Sequence, residues 1–83
     1  MEIEGIINLP KFDLNYFTIG CAVAFTLAED KYCYRYGLII DVSESRLVIN
    51  YINSSLVIDS CFVLAKNVVS GDQKIKKLVA EWE

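Results

Sequence analysis

The middle of the chain reads Tyr32-Cys33-Tyr34-Arg35-Tyr36-Gly37-Leu38-Ile39-Ile40-Asp41-Val42. Every even position in this stretch is tyrosine or aliphatic, an alternation typical of one long strand with an apolar face. A second alternation, at Leu47, Ile49 and Tyr51, begins after the polar segment 43–46. The two stretches therefore predict a β-hairpin that turns at residues 43–46.

The register of this hairpin follows from its turn. A tip midway through residues 43–46 pairs Val42 with Leu47 and Leu38 with Tyr51, which places all the apolar side chains on one face. A glycine inside a strand, here Gly37, indicates a bend or a bulge of the kind with which a small barrel closes.

The segments around the hairpin complete a mainly β chain. Alternation over residues 20–27, and apolar runs farther along, predict barrel strands throughout residues 20–65. Residues 1–18, which hold the only proline, Pro10, predict an N-terminal arm or short strand. The sequence leaves open whether this arm packs on its own domain or on a neighbouring copy.

The C-terminal region carries a helix signal. Ser70-Gly71-Asp72-Gln73 fits a capping box, and Ile75, Leu78, Val79 and Trp82 recur at helical spacing. We therefore expect a short C-terminal helix over residues 70–82, with Trp82 on its apolar stripe. A terminal strand through residues 74–79 is the alternative.

Length and composition favour one domain with a contact surface. With 83 residues, 54% of them hydrophobic, the chain has more apolar side chain than a thin core can absorb. We expect the excess to form a surface patch that binds a protein partner or a second copy of the chain. An ordinary monomer with scattered exposed aliphatics is the alternative.

The same composition argues against several function classes. A net charge of −3 opposes nucleic-acid binding, which depends on clustered lysine and arginine. No histidine is present, so the commonest general base and metal ligand is missing, and we expect no cofactor and no metal. Asp41 and Asp59 form the only conceivable catalytic pair, and solvated strand edges explain both residues more simply. The chain is predicted not to be an enzyme.

Cysteines and hydropathy bear on the compartment. Cys21, Cys33 and Cys61 fit no zinc spacing and are interpreted as buried thiols. The acidic start of the sequence and the lack of a long apolar run predict neither a signal peptide nor a membrane contact. These features predict a cytoplasmic protein.

Three segments carry a resemblance to a known family. They are Gly20-Cys21-Ala22-Val23-Ala24-Phe25, Tyr36-Gly37-Leu38-Ile39-Ile40-Asp41-Val42 and Leu47-Val48-Ile49-Asn50-Tyr51. Over about residues 20–58 the chain resembles the small SH3-like barrels of the Tudor and KOW type. The resemblance implies a bent barrel of about five strands that presents loops or an aromatic patch to a partner, without enzymatic activity. The basic face of KOW domains is missing. In size and acidity the chain is also similar to accessory proteins of bacteriophages, which would place it in a bacterial host.

The aromatic residues are the candidate binding residues. Tyr32, Tyr34 and Tyr36 share one strand face, Tyr51 follows on the next strand, and Trp82 lies near the end of the sequence. We interpret them first as an interface, with plain core as one alternative and, by resemblance to Tudor barrels, an aromatic cage as another. Arg35 lies between two of the tyrosines and is the best-placed cation for an anionic group.

Two functions follow from these residues. The first is a non-catalytic protein–protein interaction module that self-associates through the tyrosine strand, Trp82 and the C-terminal helix. The second is a phage-type counter-defence protein that sequesters a small anionic or nucleotide-like ligand between subunits. In this second function Lys31, Arg35 or Arg46 would bind the anion while tyrosines stack on a base.

Overall fold

A five-stranded antiparallel sheet forms the centre of the fold. The structure is a computed structural model that describes residues 3–8 and 10–78. Its elements in chain order are β1 Ile6–Ile7, β2 Lys11–Phe12, β3 Ala22–Leu27, β4 Asp30–Val42, β5 Arg46–Ile52, β6 Ile58–Leu64, α1 Ala65–Ser70 and β7 Ile75–Lys77. The large sheet has the order β6-β5-β4-β3-β7, and β1 pairs with β2 in a small second sheet. The prediction of a mainly β chain is confirmed.

The β4–β5 hairpin contains a bulge that the sequence did not reveal. Val42 pairs with Leu47 as predicted, but the register shifts between Ile39 and Asp41, so Gly37 pairs with Tyr51. The predicted pairing of Leu38 with Tyr51 is therefore wrong. Because a bulge adds one residue to one strand, it exchanges the two faces of that strand beyond it. The even-numbered side chains of β4 before the bulge consequently point away from the core.

Gly37 is required at this point of β4 for space. A Cβ atom there would clash with the Asn50 carbonyl oxygen and with the Ile49 side chain of the neighbouring strand. Backbone oxygen cannot move aside without breaking the ladder, so β4 and β5 approach closely only because this side chain is missing.

The core lies on the inner face of the sheet, which the N-terminal arm covers. Phe25 and Tyr51 meet edge to face, with ring centroids 5.5 Å apart. Phe12 and Phe17, both fully buried, join the same cluster. The Phe12 N–H donates to the Glu44 carbonyl at 2.7 Å, which ties the arm to the β4–β5 turn. The arm therefore packs on its own sheet.

The predicted helix over residues 70–82 is wrong where the structure describes it. The helix α1 ends at Ser70, and Gly71 follows in the left-handed conformation (φ 89°) with its N–H bonded to the Val68 carbonyl. Ser70 and Gly71 thus end a helix instead of starting one. The chain then continues as β7, which pairs with β3 and satisfies backbone groups that would otherwise form a free edge. Residues 79–82, including Trp82, lie outside the described residues.

Gln73 joins the two ends of the sheet. Its buried side-chain amide donates to the carbonyls of Thr26 (3.2 Å) and Phe62 (3.1 Å) and accepts from the Leu64 N–H (3.1 Å) and the Asn67 amide (3.0 Å). The predicted capping role of Gln73 is therefore replaced by a link between β3, β6 and α1. Within the described residues no strand pairing joins β6 to β7, so the expected closed barrel is not formed by strand pairing, and this side chain bridges the gap instead.

Candidate interaction surface

The outer face of β4, β5 and β6 is an apolar surface. We use the term outer face for six side chains, which are Tyr36, Leu38, Ile40, Ile52, Ile58 and Phe62. Their exposed fractions lie between 43% and 71%. The arm and its aromatic residues cover the opposite side of the sheet. In the part of the chain that the structure describes, no element is layered over the outer face.

The bulge and the strand pairing bring the six side chains together. Tyr36 lies in register with Ile52, which pairs with Ile58. Leu38 lies one row along, opposite Asn50, and Phe62 lies farther along β6, opposite Val48. Side chains two residues apart on one strand point to the same face, so these rows share one face, on which Asn50 and Ser60 lie between Phe62 and the pair Ile52–Ile58.

A shallow groove runs through the patch. It has a volume of about 390 Å³ and is lined by Tyr36, Gly37, Leu38, Ile40, Asn50, Tyr51, Ile52 and Ile58. Apart from the two tyrosine hydroxyls, Asn50 supplies the only polar side chain of this lining. At the border of the patch the Arg46 guanidinium lies 4.7 Å from the Phe62 ring centroid. The groove therefore suits an apolar surface better than an anion.

The size of the patch can be compared with that of a protein interface. From the exposed fractions, the six side chains present roughly 400–500 Å² of apolar surface, taking typical areas for aliphatic and aromatic side chains. A standard interface takes about 800 Å² from each partner, of which about 57% is apolar, or roughly 450 Å². The outer face thus supplies the apolar part of one half of a standard interface.

The predicted tyrosines do not form one cluster. Tyr32 and Tyr36 are largely exposed and Tyr34 is partly so, whereas Tyr51 is 9% exposed and packs in the core on the opposite face. Lys76 Nζ lies 5.8 Å from the Tyr34 ring centroid. No cage of several rings around one cation is present among the described residues. Tyr34 has the same parity as Tyr36 in β4, but it lies beside Lys76 and does not line the groove.

Arg35 lies away from the outer face. It pairs with Phe25 of β3, which is fully buried on the inner side. Its guanidinium lies 3.6 Å from the Asp30 carboxylate and donates to the Cys33 carbonyl at 3.3 Å. Because its charge is already paired within the chain, Arg35 is a weak candidate for binding an external anion.

The two aspartates of the conceivable catalytic pair are also separated. Asp41 pairs with Val48 near one end of β5, whereas Asp59 of β6 pairs with Tyr51 near the other end. Three residues along a strand span about 10 Å, and one intervening strand adds about 10 Å across the sheet. The two carboxylates are therefore too far apart to act on one bond.

The titratable groups near the sheet show the effect of burial. Burial, with a smaller contribution from the Asp59 carboxylate, raises the pKa of the half-buried Cys61 thiol to about 11. The same two causes raise the pKa of Tyr51. Cys33, predicted to be buried, is exposed because its end of β4 extends beyond β5.

Two further kinds of site are absent from the described ranges. Within residues 3–8 and 10–78, no group of three possible metal ligands is present. Over the same ranges, the structure has no helix of the length and hydropathy needed to cross a membrane.

Comparison with known proteins gives no relative. No family model matches the chain, and no curated protein or solved structure matches it either. The geometry of the outer face is therefore the basis for a functional proposal.

Five residues of the outer face were missed as candidate site residues. They are exposed although sequence analysis assigned such side chains to the core or left them unassigned, and they are Leu38, Ile40, Ile52, Ile58 and Phe62. One signal was present: Ile39 and Ile40 are adjacent, so one of them must break the alternation. A bulge at that point exchanges the faces of β4 and exposes the even-numbered side chains.

Proposed function

We propose that this protein is a non-catalytic protein–protein interaction module that self-associates through its outer face. The single observation that carries the proposal is that six large apolar side chains are exposed on one side of the sheet. An apolar patch of about this size (~300–600 Å²) is often functional even in a monomeric protein. Burying the six side chains removes roughly 400–500 Å² of apolar surface per chain from water.

A second copy of the chain is the partner that fits best. The apolar area equals what one half of a standard interface contains, and two copies of the same patch complement each other in an isologous contact. The six side chains carry no charge, so two outer faces meet without repulsion between like charges. Tyr36 and Phe62 supply the aromatic anchors in which binding energy concentrates.

The SH3-like architecture is part of the same proposal. Four strands in a meander, β3 to β6, are followed by the short helix α1 and by β7, which returns to β3. This connectivity supports a small barrel-like domain whose final closure is made by the Gln73 side chain. We also place the protein in the cytoplasm, a proposal supported by the exposed, unpaired thiol of Cys33.

Ligand sequestration remains the second function considered, and the groove gives it less support. Its volume of about 390 Å³ would admit a small molecule. However, none of its lining residues is a cation, and Arg35 is paired with Asp30. An anionic ligand would find no charge partner inside the groove.

A pair of isoleucine substitutions tests the proposed function. Ile52, on the outer face, and Ile19, in the turn before β3, are 64% and 65% exposed. Ile52→Lys places a charge that would be desolvated in the interface, so we expect self-association to weaken at least tenfold, or by about 1.4 kcal/mol. Ile19→Lys adds the same charge off the face and should leave association unchanged.

Sedimentation velocity over a range of concentrations measures this difference. A wild-type protein that sediments as a monomer at hundred-micromolar concentration would contradict the proposed function. Equal effects of the two substitutions would show that the outer face is not the contact.

A further inference from the structure

We propose that β6 is an open edge on which a second copy pairs its own β6 in antiparallel orientation, continuing the sheet across the two chains. The proposal deepens the proposed function by adding a second contact between copies, at the edge of the sheet instead of on its face. It rests on the contrast between the two edges of the sheet.

The edge at β7 has the features by which natural proteins prevent a further strand from pairing with a sheet edge. β7 has three residues, and two of them, Lys76 and Lys77, are lysines. Short edge strands and lysine side chains discourage a further strand from adding. This edge is therefore an unfavourable place for a partner strand.

The edge at β6 lacks these features. β6 pairs with β5 through seven consecutive residues without a bulge, and it contains neither lysine nor proline. Its only charged residue is Asp59. Such a long, regular edge strand, with apolar Ile58 and Phe62 on its outer face, is a template for another strand.

The direction of the backbone groups identifies the open part of this edge. The Phe62 carbonyl and the Leu64 N–H bond to Gln73 instead of β5, so even-numbered residues of β6 direct their backbone groups outward. Ile58 and Ser60, nearer the start of β6, are also even-numbered, so their backbone N–H and C=O groups point outward as well. Among the described residues, the Ser60 N–H is held only by the adjacent Asp59 carboxylate at 2.8 Å, a local contact that an incoming carbonyl can replace.

The sequence of β6 is suited to pairing with itself around Ser60. A two-fold axis at Ser60 places Ile58 opposite Phe62 of the second copy, so apolar side chains meet on the outer face. The same register places Asp59 opposite Cys61 of the second copy, which keeps the two Asp59 carboxylates from facing each other. Gln73 ends the open stretch at Phe62, which fixes where the incoming strand must stop.

The two contacts together define the assembly. The edge axis is perpendicular to the sheet, whereas an isologous contact between outer faces has its axis in the plane of the sheet. Because the outer face extends to the β6 edge, we place the two axes so that they intersect, and two perpendicular two-fold axes that intersect generate a closed tetramer with D2 symmetry. The protein should therefore be a tetramer of two continuous ten-stranded sheets that stack through their outer faces.

Native mass spectrometry of the full chain tests the edge with Ser60→Pro. Proline removes an outward N–H but no bond to β5, and edge strands tolerate it. We expect four copies for wild type, two for Ser60→Pro, two for Ile52→Lys and one for the double variant. Ser60→Ala, which keeps the N–H, should remain tetrameric.

Other outcomes overturn the edge contact separately from the proposed function. A Ser60→Pro protein that stays tetrameric would refute the edge pairing. The wild type could also be a dimer that Ser60→Pro leaves dimeric and Ile52→Lys makes monomeric. That result would refute the edge pairing too and leave the face contact standing. If Ser60→Pro lowers the melting temperature strongly, amide hydrogen exchange of the wild type replaces it, because pairing at the edge protects the Ser60 N–H from solvent. We expect slow exchange of this N–H in the associated protein, and fast exchange at the same concentration would refute the pairing.

Discussion

At the scale of single residues, the buried side-chain amide of Gln73 links β3, β6 and α1. Its side chain is 2% exposed and makes four hydrogen bonds, which use both donors and both acceptor positions of the amide. A buried polar group is stable only when it is paired in this way. Sequence reasoning could not find this role, because a glutamine three residues after a serine is equally typical of a capping box.

Replacing Gln73 should destabilise the protein more than any surface substitution. Gln73→Leu keeps the size but leaves the carbonyls of Thr26 and Phe62 and the Leu64 N–H without their partner. At ~1–3 kcal/mol for each unsatisfied buried group, we expect the free energy of unfolding to fall by at least ~3 kcal/mol. Urea unfolding followed by circular dichroism measures it.

The control for this change is Asn67→Ala, which removes one of the four hydrogen bonds. It should cost about 1 kcal/mol. A loss below 1 kcal/mol for Gln73→Leu would mean that this amide does not hold the sheet ends together.

The cysteines allow a chemical test of burial. Because burial raises the pKa of Cys61 to about 11, its thiol stays protonated at pH 8, where only roughly one thousandth is the reactive thiolate. We expect iodoacetamide to modify the exposed Cys33 first. The rate at Cys61 should rise about tenfold per pH unit between pH 8 and pH 10.

Peptide mapping by mass spectrometry follows both sites in one sample, with Cys33 as the internal control. Equal modification rates at Cys33 and Cys61 at pH 8 would contradict the burial of Cys61 on the inner face.

At the scale of elements, the bulge in β4 separates what the sequence predicts from what it cannot. The strands, the hairpin turn and the pairing of Val42 with Leu47 follow from alternation and turn residues. Beyond the bulge, the alternation predicts the wrong face for Leu38 and Tyr36, because two adjacent isoleucines fit either register. The choice depends on Ile39 filling the core against the N-terminal arm, a contact between distant parts of the chain.

The helix prediction for the C-terminal region was wrong for a related reason. Ile75 and Leu78 have helical spacing, but the free edge of β3 favours a strand at Ile75–Lys77. Tertiary pairing thus overrides a local helix pattern. The candidate site was predictable only in part: an apolar surface with a tyrosine was expected from composition, whereas Ile52, Ile58 and Phe62 required the sheet register.

The close approach of β4 and β5 makes a prediction about Gly37. Gly37→Ala introduces a Cβ against the Asn50 carbonyl oxygen, so the hairpin must separate or shift register. We expect a loss of ~2–3 kcal/mol in the free energy of unfolding, as for overpacked sites. Chemical denaturation measures this loss.

Gly20→Asn is the control, because Gly20 has no atom near its missing Cβ and asparagine tolerates its positive φ. Its backbone strain should cost about 1 kcal/mol of the free energy of unfolding, less than the clash at Gly37. A Gly37→Ala protein as stable as wild type would show that the two strands are not in close contact at this point.

At the scale of the whole molecule, the distribution of apolar side chains connects the fold to its proposed function. An 83-residue chain with 54% hydrophobic residues cannot bury them all. The arm covers the apolar side chains of the inner face. The bulge places many of the other apolar side chains on the outer face. The proposed function therefore rests on an asymmetry between the two sides of a single sheet.

Hydroxyl-radical footprinting at low and high protein concentration shows whether a second copy covers the outer face. We expect Tyr36 and Phe62 to become protected from oxidation as the concentration rises, because a second copy covers the outer face. Tyr32, 84% exposed and beyond the end of β5, should stay reactive. Protection of Tyr32 with unchanged oxidation of Tyr36 and Phe62, or no protection at any concentration, would contradict the account.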